Sequence, residues 1–191
     1  MDTINVEKRD MSVKVNHLRK AGFVPCAVYG GPLPESLSIQ MTQQDANQLF
    51  VNNRDGSKVA LKLDGKLIPA LIKEELRDFN TRDIKSIGFQ ALKADQPINS
   101  IAHVLVKNAD KVPGIVEHII FEVPYHALPQ YMIDTVTIDL EGKGIGTCIT
   151  IADIPEFCDE HVDVKLEPDT LVLRIADLHH VEETEEAPAE E

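Results

Sequence analysis

Tryptophan is absent from this chain, and aromatic residues make up only 5% of it. A core of stacked rings is thereby excluded, so aliphatic and β-branched side chains must fill the interior. Cysteine is nearly as scarce. Cys26, Cys148 and Cys158 form no CxxC pair and have no histidine pair at ligand spacing. That argues against a zinc site and for reduced thiols in a core. No apolar run reaches the ~18 residues a membrane helix needs. The opening MDTINVEKRD lacks the basic-then-apolar order of a secretion signal, so a soluble, cytoplasmic protein is expected. Hydrophobic residues still make up 43% of the chain, which excludes wholesale disorder. A length of 191 residues suffices for one large domain or two small ones.

Positive charge is missing from the second half. Residues 1–90 hold 13 Lys or Arg against 11 Asp or Glu, a balance of +2, whereas residues 91–191 hold 6 against 21, a balance of −15. The split predicts two units with different partners. The first can meet a polyanion; the second would be repelled by one.

Along the first half, TINVEKR (3–9) alternates as a strand. SVKVNHLRKAG (12–22) reads as a short helix from a Ser12 cap to Gly22. CAVYG follows Pro25, which belongs near a strand start because it cannot donate to an interior ladder. SLSIQM (36–41) is a strand, and TQQDANQLFVNN (42–53) a helix capped by Thr42. SKVALKL and KLIPALIKEEL flank Asp64-Gly65, a strong hairpin signal, and IKSIGFQAL (84–92) closes the set. Six strands with two short helices favour a small closed barrel. Beyond Gln96-Pro97, INSIAHVLVKN, IVEHIIFEVPYH, DTVTIDLEG, TCITIAD, VDVKLEP and TLVLRIADL all read as strands, which predicts a second, all-β unit. The last ten residues, EETEEAPAEE, contain six Glu and no bulky apolar residue, the composition of a disordered tail. The expected boundaries are 1–93 for the barrel, 97–181 for the second domain and 182–191 for the tail.

No catalytic set converges. Gly142, Gly144 and Gly146 have the wrong spacing for a dinucleotide loop, and a strand follows where a helix is required. The seven histidines are scattered. Asp153, Asp159, Glu160 and Asp163 lack the ligand periodicity of a calcium loop and read as a solvated acidic face. Neither enzyme activity nor a cofactor is expected. The basic group near the amino terminus is different. Lys8 and Arg9 end the first strand, and Lys14, His17, Arg19 and Lys20 fall within seven residues. On a helix, Lys14, His17 and Lys20 lie near one face. Such cations can contact phosphates while Tyr29 stacks on a base; the plainer alternative is an amphipathic helix whose charges only face water.

The stretch HLRKAGFVPCAVYGG (17–31) resembles the LR-x-x-G-x-VPAV-x-YG element of the bacterial large-subunit ribosomal protein L twenty-five family, whose two-domain form is also called general stress protein Ctc. LIKEELRD (71–78) fits the family's KE-x-x-R-D segment, and IIFEVPYHALPQYMIDTVTIDLEGKGIGTCITIADI resembles its second domain. The resemblance implies a β-barrel that binds the loop E region of 5S rRNA, followed by a β-rich second domain. It also implies that Arg9, Arg19 and Tyr29 approach RNA, that Gly30 lets the backbone pass close to it, and that Lys73 and Arg77 form a second basic stretch. The chain departs from the pattern at Asn16 and His17, where arginines are usual, and at Leu76. It also has Ser86-Ile87-Gly88-Phe89 in place of His-Val-Asp-Phe.

Two functions stay open on this reading. One is a structural large-subunit protein that binds 5S rRNA through Arg9, Lys14, His17, Arg19, Lys20, Tyr29, Gly30, Lys73 and Arg77. The other is a stress-related protein-interaction module that kept the fold and weakened its rRNA contacts. The expected partners are 5S rRNA, the large subunit and a neighbouring ribosomal protein on the acidic domain, with a monomer off the ribosome.

Overall fold

The computed structural model describes residues 2–31 and 33–177. The acidic tail expected over 182–191 and His179-His180 lie outside the described residues. The first half comprises β1 (Asp2–Lys8), α1 (Val15–Lys20), β2 (Phe23–Tyr29), β3 (Leu37–Thr42), α2 (Gln43–Asn52), β4 (Lys58–Leu63), β5 (Lys66–Arg77) and β6 (Ile84–Ala91). Its strands form a closed barrel in the order β1-β3-β2-β6-β5-β4. Parallel pairing of β1 with β4, from Asp2 opposite Val59 to Val6 opposite Leu63, completes the ring. Closure removes the unpaired edges that invite aggregation.

The local chemistry follows the sequence. Asp64 and Gly65 both take positive φ, 48° and 81°, as the tight turn between β4 and β5 requires. Thr42 Oγ1 accepts from the Asp45 amide at 3.1 Å and caps α2. Pro25 sits third in β2, opposite Gln40 of β3 and one residue before the ladder to β6 begins at Cys26. The start of α1 differs from expectation. The Ser12 amide donates to the Asp10 carboxylate at 2.8 Å, an Asx turn that takes Ser12 out of the capping role. The helix begins only at Val15, after an extended Lys14. Inside the barrel, Val24, Val28, Leu61, Ile72 and Phe89 are fully buried, an aliphatic core around one large ring.

The second half contains β7 (Ile98–Lys107), β8 (Ile115–His118), β9 (Glu122–Ala127), β10 (Thr135–Asp139), β11 (Cys148–Thr150), β12 (Val162–Val164) and β13 (Leu171–Ala176). They form a four-stranded sheet, β10-β7-β9-β12, and a three-stranded sheet, β11-β13-β8. The stretch expected as one strand over IVEHIIFEVPYH is therefore two strands in different sheets. The Ile119 and Ile120 amides both donate to the Val172 carbonyl, at 2.9 and 3.1 Å, and the His118 ring packs on Phe121. TCITIAD is likewise shorter than expected. The Asp153 carboxylate accepts from the Thr150 amide and hydroxyl, both at 2.8 Å, and turns the chain into a 3-10 helix. EGKGIG forms the turn between β10 and β11.

The chain divides into two compact units. Among the described residues, the first takes those through Ser100 together with Leu128–Asp134; the second takes Ile101–Ala127 and those from Thr135 onward. In the first, Leu128–Asp134 is held where Lys58 Nζ donates to the Pro129 carbonyl at 3.0 Å and Met132 packs on Leu71, Leu92 and Ile98. In the second, Tyr125, Leu140, Val172 and Leu173 are fully buried.

Candidate nucleic-acid interface

Side chains along a strand alternate between the two faces of a barrel wall. On β2, Val24, Cys26 and Val28 point inward, so Ala27 and Tyr29 point out. On β6, Ile87 and Phe89 point inward, so Ser86 and Gly88 point out. These outward positions, with Arg9, Arg19 and Ser38, line an open groove of about 480 Å³ on the first unit. Burial lifts the Cys26 thiol to about 12, so it belongs to the core and brings no reactive group to the groove.

Arg9 is half-buried, and its Nε is shielded from solvent without a hydrogen-bond partner among the described residues. A buried donor in that state carries a desolvation cost that a ligand could relieve. Arg19 Nε donates to the Lys85 carbonyl at 3.1 Å, which holds the guanidinium against β6, and its terminal nitrogens bond to none of the described residues. Tyr29 is half-buried, and its hydroxyl titrates above its ordinary range, first through burial and then through the nearby charge of Glu74.

Strand β5 brings a different set of groups to the groove than plain alternation predicts. Counting outward from buried Ile72, alternation would place Lys73, Glu75 and Arg77 on the outer face. The register instead runs from Ile72 opposite Phe89 directly to Glu74 opposite Gly88, so Lys73 is the extra residue of a β-bulge. The bulge re-aims the side chains beyond it, and a second register shift follows between Leu76 and Arg77. Glu74, Glu75 and Leu76 line the groove, with Leu76 56% exposed despite its apolar side chain. Arg77 turns to the rim, where it holds Glu75 through bonds of 2.9 and 2.8 Å and lies 5.3 Å from the Phe50 ring centroid. Its guanidinium is held in the charged form chiefly by the hydrogen bonds to Glu75. Lys73 is exposed, and its Nζ donates to the Asn99 carbonyl at 3.2 Å.

Of the residues singled out in the sequence, the groove thus brings Arg9, Arg19 and Tyr29 together. Lys14, His17 and Lys20 are exposed on and beside α1 and do not line it, and Lys73 and Arg77 stand apart. Gly30 is exposed at φ 76° with ordinary contacts. Its neighbour Gly31 makes the close approach, since a Cβ there would lie 2.5 Å from the Ala91 carbonyl oxygen. Sequence reasoning missed Glu74, which makes no hydrogen bond or ion pair with any described residue; a bulge leaves no signal in residue order. A second cleft, lined by Asp2, Asp45 and side-chain amides between β1 and α2, has the wrong sign for a polyanion.

A closed β-barrel with a groove lined by two arginines and a tyrosine, followed by a second β-rich unit, defines a two-domain β architecture. Residues 4–89 match the ribosomal L25p family, and residues 98–178 match the C-terminal domain of ribosomal protein TL5. The chain is 30% identical to the large ribosomal subunit protein bL25 of Endomicrobium trichonymphae, over 90% of this chain and 72% of that one. It is 28% identical to bL25 of Gloeothece citriformis, over 98% and 97% of the two chains. With bL25 of Exiguobacterium sibiricum the identity is 30%, over 84% and 73%. The chain belongs to the ribosomal L25p family in its two-domain form, a family of structural rather than enzymatic proteins.

Proposed function

We propose that the chain is a structural protein of the large ribosomal subunit and binds 5S rRNA through the barrel groove, gripping the irregular loop E region. It works on ribosomes in the cytoplasm. The observation that carries this reading is the convergence of Arg9, Arg19 and Tyr29 on one outer face, with Arg9 Nε shielded and unpartnered among the described residues. Two guanidinium groups suit phosphate oxygens, and an aromatic ring beside them suits an unstacked base. The names of the relatives, all large-subunit proteins, support it. Lys14, His17 and Lys20, exposed around α1, add contacts to the RNA backbone at the groove's edge. Gly30 and Lys73 lie nearer the margin, and we assign Arg77 to the barrel. The acidic second unit faces a protein neighbour, since its charge repels a polyanion.

The test is titration of the full chain with a 5S rRNA fragment containing loop E at several salt concentrations, beside Arg9→Ala. Binding should be tight and steeply salt-dependent, and the variant should lower the log–log slope by about one unit. Affinity no better than for an unrelated RNA hairpin would overturn the proposal.

A second reading, a protein-interaction module with weakened rRNA contacts, is favoured by Glu74 and Glu75 at the groove and by the capture of Arg77. It predicts that the protein washes off large subunits at moderate salt while retaining a protein partner.

A further inference from the structure

Glu74 is a carboxylate set into a groove that otherwise suits an anion. The bulge at Lys73 brings it to the outer face directly opposite Gly88. A Cβ at position 88 would lie 2.9 Å from Glu74 Cγ and 3.0 Å from Glu74 Oε1, so the side chain lies over Gly88 in space that only glycine leaves. Arg9, Arg19 and Tyr29 line the same groove, yet none bonds to Glu74. The carboxylate is placed by packing and is unpaired among the described residues.

We propose that Glu74 is a specificity-determining residue that reads the Watson–Crick edge of a guanine in the bound RNA. This rests on the groove being the RNA site. A phosphate would be repelled by Glu74, so the group aimed at it must be a hydrogen-bond donor. An ionised carboxylate only accepts, through two oxygens side by side. Among the bases, only guanine offers two adjacent donors, N1–H and the N2 amino group, to match that spacing. Adenine, cytosine and uracil each set one donor beside an acceptor, which a carboxylate repels. The guanine must be unpaired on that edge, as in an irregular loop, and Tyr29 stands beside the carboxylate to stack on it. Arg9 and Arg19 then hold flanking phosphates, which position the RNA without reading it. The glycine is part of the device, because any side chain at 88 would push the carboxylate away.

The experiment titrates the full chain with the loop E fragment of 5S rRNA, replacing each guanine in turn by inosine, which lacks the N2 amino group. Wild type, Glu74→Gln and Gly88→Ala are compared, with thermal unfolding confirming that each variant is folded. At one guanine, inosine should weaken wild type about tenfold, the scale of one good bidentate base contact. At the same position it should leave both variants within about twofold. Glu74→Gln should also bind an unrelated hairpin more tightly than wild type does, as repulsion is relieved. If Glu74→Gln tightens target and unrelated hairpin by the same factor, with inosine effects unchanged, Glu74 is only a repulsive charge and the proposal falls. Tight, salt-dependent binding with no inosine-sensitive guanine would sink this inference and leave the groove reading intact; no binding at all would sink both.

Discussion

Two stretches of the barrel carry basic residues that the sequence marks as equivalent, and the fold treats them oppositely. Arg9 and Arg19 come from β1's end and from α1, and both reach the groove with binding capacity in hand. Lys73 and Arg77 come from β5, and neither does: one binds the Asn99 carbonyl, the other a carboxylate and a ring. The cause is one extra residue. Because strand periodicity is two, the bulge at Lys73 re-aims the side chains that follow it, so Glu74 and Leu76 line the groove while Lys73 and Arg77 do not. Charge in a sequence is thus only potential binding capacity; the ladder decides which cations a ligand can reach.

The largest effect we expect concerns how the Tyr29 side of the groove is held. Gly31 has φ 58° and leaves only 2.5 Å for a Cβ against the Ala91 carbonyl oxygen, a backbone atom that cannot swing away. Gly31→Ala should therefore cost about 3 kcal/mol, combining left-handed strain with a steric clash. Gly30→Ala, at φ 76° with its nearest contact 3.6 Å away, should cost about 1 kcal/mol. Chemical denaturation of both variants measures the difference. Equal costs would mean that the turn after β2 adapts and does not fix Tyr29.

An exchange of roles between the two arginine sites is next in size. Arg9→Ala should weaken RNA binding about tenfold, the worth of a charge-assisted hydrogen bond, without destabilising the barrel. Arg77→Ala should do the reverse. It should lose about 0.5–1 kcal/mol of stability with the Phe50 and Glu75 contacts, and leave RNA affinity within about twofold. Parallel urea melts and RNA titrations read both columns of this comparison. Similar RNA losses in the two variants would erase the distinction drawn from the bulge.

The same bulge marks where sequence reading reaches its limit. The barrel's strand number and closure, the Asp64-Gly65 turn and the Thr42 cap were legible, because alternation, turn chemistry and capping are local and leave residue signatures. Arg9, Arg19 and Tyr29 could be named as a group from charge, an aromatic and the family resemblance. Their shared groove could not be derived, since it depends on pairing between β2 and β6 across some sixty residues. Glu74 was invisible because LIKEEL reads equally well in either register, and only Gly88 on the facing strand favours the one adopted. In the second unit, IVEHIIFEVPYH reads as one apolar strand because its period does not change where the chain passes from one sheet to the other.

The smallest effect should come with pH, at the β5–β6 hairpin beside Arg19. Asp78 binds Lys85 Nζ at 2.7 Å and accepts from the Asn80 and Thr81 amides. Lys85 first, and then those amides, pull its carboxyl from an ordinary 3.8 down to about 2. The folded value lies below the unfolded one, so the ionised form favours folding. Its contribution is complete above the unfolded value and is lost as pH falls from there toward about 2. Exposure keeps it small, because water and salt screen a surface pair. Wild type should melt slightly above Asp78→Asn at pH 6, and the two should converge near pH 2. The same acid step should loosen Arg19, whose Nε is anchored on the Lys85 carbonyl. A gap between the melting curves that persists unchanged at pH 2 would show that Asp78 acts through the shape of the turn alone, and that Arg19 depends no more on this hairpin's charges than Arg9 does.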